Sequence, residues 1–381
     1  MDNRFYMVED VKEYEIEKYL KPIWEGTTQY AEPATILQDY FGVIRPIRLA
    51  YPIEKILFVK SFDLKTIYEE GKDYRVNEFG ELEILSEGKI PYLTWKEWRY
   101  PEFSEEIFNL QMRSADGIGG WRIGELYADQ DGMSAYTLAV TYTHKASDLY
   151  EITRGKKDKL PRFLQKLNID KAAKVVSYGD SITYGWAASG MQDIKRPPYC
   201  PKYTDMIVEY LSAKFKSDIK HDNLAVSGMC TDWGEKDENV QKVIDADPDL
   251  VILAFGMNDA GGFQPTVFYE KMLNIINKIR SGKHETEFII VSPIMPNPMV
   301  GFASGSSICR FHAEYPRFFQ KIEDNVKGVA YANVTAMHQV LLERKELRDT
   351  LSNNINHPND YMHRVYAQVV LKTILGDAFD K

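Results

Sequence analysis

The sequence predicts two joined parts: an all-β sandwich over residues 1–150 and an α/β domain over residues 172–381, with a doubly wound five-stranded parallel sheet covered by helices on both faces. Three observations lead there. Up to about residue 145, short runs rich in Val, Ile, Tyr, Thr and Phe alternate with turn residues. Between Lys145 and Lys171 lies a charged connector, with the run Arg154 to Lys159 and then Pro161, which places a linker over residues 151–171. From residue 172 onward, short apolar runs alternate with helical patterns of 10 to 17 residues, the rhythm of βα units.

In chain order, the β half offers strands over residues 55–62, 73–85 and 134–144, the second broken by Phe79-Gly80 as a hairpin is. The α/β half offers strands over residues 174–178, a segment ending in 223–228, and strands over 249–256, 287–293 and 328–334. These are continuous apolar runs, as expected where helices cover both faces of a sheet. A last helix runs from about Tyr361 to Leu375, with Met362, Val365, Tyr366, Val369 and Val370 at helical spacing, and stops at Gly376.

Composition narrows the function. The chain has 381 residues, with 47 Lys and Arg against 56 Asp and Glu, a formal charge of -9. A nucleic-acid or anionic-membrane partner is disfavoured, because binding phosphate needs positive surface to displace counterions. A small, weakly charged ligand fits better. Cys200, Cys230 and Cys309 form no C-x-x-C pair and read as small apolar packing residues. No run of about 18 apolar residues is present. The opening residues lack the apolar core of a signal peptide, so the chain as given reads as cytoplasmic, or as exported were a leader trimmed. No zinc-binding H-E-x-x-H, phosphate loop, dinucleotide fingerprint or G-x-S-x-G elbow occurs, so neither metal nor cofactor is implied.

In parallel α/β sheets the ligand site lies beyond the carboxyl ends of the strands. Four blocks stand there: Gly179-Asp180-Ser181-Ile182-Thr183, a segment ending at Gly228, Gly256-Met257-Asn258-Asp259, and Asn356-His357-Pro358-Asn359-Asp360. In that order they resemble the GDSL or SGNH hydrolase superfamily, over roughly residues 172–376. Preceded by a β domain, the layout also resembles two-domain carbohydrate esterases of the acetyl-xylan type, whose first domain is jelly-roll-like. The resemblance implies a flavodoxin-like sheet and a serine esterase. Its substrate would be a small-molecule or oligosaccharide ester, with an acetyl group the first expectation and a lysophospholipid, thioester or other small ester the alternative.

Ester cleavage needs a nucleophile, a base and donors aimed at the oxygen that becomes negative. The resemblance gives these roles to Ser181, to His357, and to the backbone N–H groups of Ser181 and Gly228 with the side-chain amide of Asn258. The bland alternatives are a helix cap for Ser181, turn residues for Gly228 and Asn258, and a loop histidine for His357. The other six histidines read as surface or helix residues, with His363 the one possible substitute. Trp186 and Trp233, just after two of the blocks, could stack on a sugar ring or simply pack. Trp24, Trp95, Trp98 and Trp121 of the first half could extend such a surface, although they fit a sandwich core better.

One position departs from the superfamily. Where it usually carries an Asp three residues before the histidine, this chain has Asn354. Three accounts are open: a Ser-His dyad whose ring is oriented by a backbone carbonyl near Asn354, as some carbohydrate esterases of this layout manage; Asp360 swinging in; or a poor catalyst. The same asparagine prompts a further reading as a non-catalytic carbohydrate-binding or scaffold protein with a degenerate hydrolase half. The alternative for Asp360 is a cap on the last helix.

Overall fold

The computed structural model describes residues 19–99, 133–146, 155–191, 195–298 and 308–379. Within the β half, strands β1 (Thr28–Thr35), β2 (Lys55–Ser61), β3 (Ile67–Tyr68) and β6 (Thr137–Thr143) form one antiparallel sheet in the order β1-β6-β2-β3. Strands β4 (Tyr74–Val76) and β5 (Leu82–Ile84) make the expected hairpin, turned at Gly80 with φ 72°. A bulge interrupts β1 between Gln29 and Glu32, with Ala31 at φ 44°. Trp98 is buried, Trp24 meets Phe379 edge-on, and Trp95 meets Tyr40. Trp121 and residues 151–154 of the expected linker lie outside the described residues. The rest of that stretch packs: Phe163 and Leu167 enter the main core, and the Glu287 carboxylate accepts from the N–H groups of Arg162 and Phe163.

The α/β half contains β7 (Ala172–Gly179), β8 (Asp218–Asn223), β9 (Leu250–Ala254), β10 (Glu287–Val291) and β11 (Val329–Ala332). All pair in parallel, in the order β11-β10-β9-β7-β8. The chain moves from β7 outward to β8, then crosses back to β9, so the sheet reverses direction of growth around β7. That reversal opens a crevice at the carboxyl ends of these strands. Helices α1 (Tyr203–Phe215), α2 (Asp237–Asp245), α3 (Pro265–Gly282), α4 (Tyr315–Asn325), α5 (Val334–Leu341) and α6 (Asp360–Leu375) flank the sheet. Asn333 caps α5 by accepting from the Ala336 N–H.

One strand differs from expectation. The second strand ends at Asn223, and residues 224–228 form the loop beyond it. Its sequence, Asp-Ile-Lys-His-Asp-Asn, is polar because β8 is the sheet edge, half open to solvent, where apolar residues gain little.

The two halves share a core. One buried cluster runs from Ala34, Val59 and Val140 of the β sheet to Val365, Val369 and Ile374 of α6, while a second fills the other face of the parallel sheet around Phe268, Phe288 and Tyr315. Helix α6 is buried along its whole length. Its residues Arg364, Gln368 and Lys372 recur every four positions, so they lie on one stripe. Arg364 donates to the carbonyls of Tyr30 and Ala31, and Gln368 to those of Tyr19 and Lys21. Among the described residues no helix is long and apolar enough to cross a membrane.

Candidate active site

Strand β7 ends at Gly179, where an added Cβ would sit 2.3 Å from the Ala254 carbonyl oxygen of β9. Glycine is therefore required for the two strands to approach. Asp180 follows as the N-cap of the short helix Ser181–Tyr184, its carboxylate accepting from Ile182 N–H at 3.0 Å. This fixes Ser181 as the first helical residue, directly past the strand. Burial raises the Asp180 carboxyl to about pH 7, helped by the nearby Asp259 and opposed by backbone N–H donors from Ile182, Met257 and Thr183.

His357 arrives on the loop before α6. The loop is closed by a bridge between Leu351 and Pro358 and by Ser352 N–H donating to the His357 carbonyl at 2.9 Å. Its Nε2 lies 3.0 Å from Ser181 Oγ, across 176 positions of chain. Both side chains are buried. A hydroxyl and an imidazole at this distance can exchange a proton directly.

The remaining two blocks are laced together beside them. Asn258 Nδ2 donates to the Met229 carbonyl at 3.1 Å, leaving its second amide proton for another acceptor. Asp259 accepts from the backbone N–H of Thr231 at 2.8 Å and from its hydroxyl. Asp259 is raised to about 6, chiefly by burial. Val226 N–H in turn bonds the Gly179 carbonyl at 3.0 Å, tying the Gly228 loop to the strand that bears Ser181. Gly228 is exposed, at φ 78°, and a Cβ there would meet nothing within 4 Å. What calls for glycine here is the left-handed backbone, not close packing.

Several expectations need correction. Asn354 does not reach the His357 ring: at φ 56° it turns away, and its backbone and side-chain oxygens accept from Asn297 Nδ2 at 2.8 and 3.2 Å. Asp360 does not swing in either. Its two oxygens are held by Ser189, one by the N–H at 2.8 Å and one by the hydroxyl at 2.6 Å. Nor does it cap α6, a task done by Asn359, which accepts from Met362 N–H. Trp233 is half-buried and packs on Tyr178 against the second core cluster, the packing alternative of the two. Trp186 does stand at the site, its ring 6.2 Å from that of His357, with a buried indole N–H that has no hydrogen-bond partner among the described residues. Four of the other histidines are core residues: His144, His312, His338 and His363 are buried. His363 bonds the Trp186 carbonyl at 3.2 Å, so it supports the site rather than entering it. Of the three cysteines, only Cys200 is fully buried.

The residue that sequence reasoning missed is Asn353. Its Nδ2 lies 2.9 Å from His357 Nδ1. Its Oδ1 accepts the backbone N–H groups of Ile355, Asn356 and His357 at 2.9, 3.1 and 3.1 Å. The signal was present as two consecutive asparagines before the histidine, but the usual three-residue spacing pointed at the wrong one.

Residues 177–365 match the model of the GDSL-like lipase/acylhydrolase family. Among solved structures, a two-domain esterase active on acetylated mannans is 20% identical, with a TM-score of 0.45 over 60% of this chain and 56% of its own. An acetylxylan esterase from Geobacillus stearothermophilus is 20% identical, with a TM-score of 0.39 over 53% of this chain and 94% of its own. A lipase/acylhydrolase from Enterococcus faecalis is 19% identical, with a TM-score of 0.40 over 52% of this chain and 94% of its own. The chain thus spans little more than half the length of the first of these. No curated protein shows significant sequence similarity to it.

Proposed function

We propose that the chain, whose residues 177–365 match the model of the GDSL-like lipase/acylhydrolase family, is a serine esterase that removes small acyl groups, acetyl first among them, from carbohydrate. The observation that carries this reading is the 3.0 Å contact between Ser181 Oγ and His357 Nε2 at the carboxyl edge of the sheet. In the proposed cycle His357 Nε2 takes the Ser181 proton as Oγ attacks the ester carbonyl. The oxyanion is met by the backbone N–H groups of Ser181 and Gly228 and by the Asn258 amide. Collapse expels the sugar oxygen, which receives the proton from His357, and leaves acyl-Ser181. Water then attacks the acyl-serine, giving up a proton to the same imidazole, and releases acetate and free Ser181. Trp186 supports the carbohydrate half of the reading, since an indole beside the base offers a face to a sugar ring.

The test is turnover of p-nitrophenyl esters of rising chain length and of acetylated xylo- and manno-oligosaccharides, with Ser181→Ala as the blank. Wild type should exceed the blank on acetyl esters and lose rate as the acyl chain grows. Equal rates for the two proteins would dismiss an esterase, and a preference for long acyl chains would redirect the substrate to lipid.

A further inference from the structure

Asn353 meets His357 Nδ1 with a donor. Asn353 cannot turn its amide over to offer oxygen, because Oδ1 is already held by three consecutive backbone N–H groups, an arrangement in which nitrogen would face three like donors. Nδ2 therefore points at Nδ1 from 2.9 Å. A neutral imidazole accepting there carries its one proton on Nε2, directed at Ser181 Oγ. That tautomer can hold the serine oxygen, and takes its proton only after the Nε2 hydrogen has shifted to Nδ1. The base form, with the proton on Nδ1, would set one N–H against another and forfeit the 2.9 Å bond.

We propose that Asn353 is the positioning residue for His357 and holds it in the resting tautomer, so that the chain is a restrained hydrolase which a carboxylate at position 353 would release. This rests on the esterase reading of the same site. In Asn353→Asp, Oδ1 keeps its three backbone donors and Oδ2 replaces Nδ2, accepting the proton of Nδ1. The lone pair of Nε2 then faces Ser181. During attack the serine proton passes to Nε2 while the Nδ1 proton stays on nitrogen, and the carboxylate stabilises the imidazolium so formed.

The experiment compares wild type, Asn353→Asp and Asn354→Asp in two measurements. Nitrogen NMR of histidine-labelled protein should show His357 protonated at Nε2 in wild type and at Nδ1 in Asn353→Asp, with Asn354→Asp leaving the tautomer as in wild type. Turnover of p-nitrophenyl acetate should rise in Asn353→Asp by on the order of 100-fold, within the roughly 10⁴-fold that an Asp-to-Asn change costs a serine protease. The acidic limb of its kcat/KM profile should move to higher pH, since a neighbouring carboxylate favours the imidazolium. A wild-type ring already protonated at Nδ1, or a switched tautomer with no gain over an active wild type, would overturn the inference. If the tautomer switches while no variant exceeds Ser181→Ala, the esterase reading has failed instead.

Discussion

Lys345 offers the sharpest probe of how the two halves hold together. Its ammonium and the Glu32 carboxylate are 2.7 Å apart, and both side chains have 0% exposure. The carboxylate also accepts from Ala50 N–H at 2.7 Å and Tyr142 hydroxyl at 2.8 Å, while Lys345 donates to the Pro33 carbonyl at 2.9 Å. In Lys345→Met a full negative charge stays buried with two neutral donors, and the Pro33 carbonyl loses its partner. Removing one member of a buried pair costs about 3–5 kcal/mol. Adding Glu32→Gln deletes the charge yet keeps an oxygen for Ala50 N–H, so the double variant should lie only about 1–3 kcal/mol below wild type, the cost of a buried polar group left unpaired. Urea unfolding reads both: the midpoint should fall sharply in the single variant and recover at least half the loss in the double. A single variant as stable as wild type would show the pair to be solvated, and a double no better than the single would show that packing, not charge, is what Lys345 supplies.

Other expectations follow from the site. Asn258→Ala should lower turnover of an acetyl ester about 100–1000-fold with little change in KM, as loss of one oxyanion donor does, and an unchanged kcat would remove Asn258 from that role. Gly179→Ala must push β7 from β9, since its Cβ would lie 2.3 Å from the Ala254 oxygen, whereas Gly228→Ala has open space. The second should cost only about 1–2 kcal/mol for its left-handed backbone, so urea midpoints must rank Gly179→Ala well below Gly228→Ala. The pH dependence of stability is a contest of buried groups. Burial lowers His312 to about 4, His338 to about 3 and His363 to about 4, so the unfolded chain binds protons there below about 6.5 that the fold refuses. Their contribution is complete above that pH and is lost as pH falls toward 4. Asp180 and Asp259, raised to about 7 and about 6, act oppositely, losing stability as pH climbs from about 4 to 7. Asp180→Asn removes one of the groups that lose stability on this climb, so its urea midpoint measured against that of wild type should gain as pH rises from about 4 to 7. A difference between Asp180→Asn and wild type that shrinks over this range would refute the account.

Much of the frame was legible because its causes are local. Four of the five parallel strands announce themselves as apolar runs, since each is covered on both faces, and Gly376 marks the end of α6 as a residue of positive φ, 59°. What failed was whatever depends on a distant neighbour. Strand β8 reads as polar because its place at the edge is decided by sheet order, and its His221 pairs across to Ser177 Oγ at 2.8 Å. His338 and His363 lie on α5 and α6, in keeping with a helix reading, but their burial escaped the sequence because imidazole is polar in sequence yet can pack where its nitrogens find partners, as those of His338 do in Met295 N–H and Thr350 Oγ1. Ser181 and His357 could be singled out from their blocks; Asn353 could not, because one residue of register decides which amide faces the ring.

The same register explains why the β half matters to a site it does not enter. The loop carrying His357 is gripped on both sides by one short stretch of β1. Before the loop, Lys345 holds Glu32 and the Pro33 carbonyl, and at its base Asp349 accepts from Thr35 N–H at 2.7 Å. Asp349 passes this on through its own carbonyl, which accepts from Asn359 Nδ2 at 2.8 Å, and Asn359 starts α6. After the loop, Arg364 clamps the carbonyls of Tyr30 and Ala31 at 2.8 and 3.0 Å, the two residues within the bulge of β1. Since none of these buried polar groups could stand unpaired without cost, the strand and the loop must settle together. The position of the imidazole over Ser181 is thus set from both ends by backbone that lies more than 300 residues away in the chain.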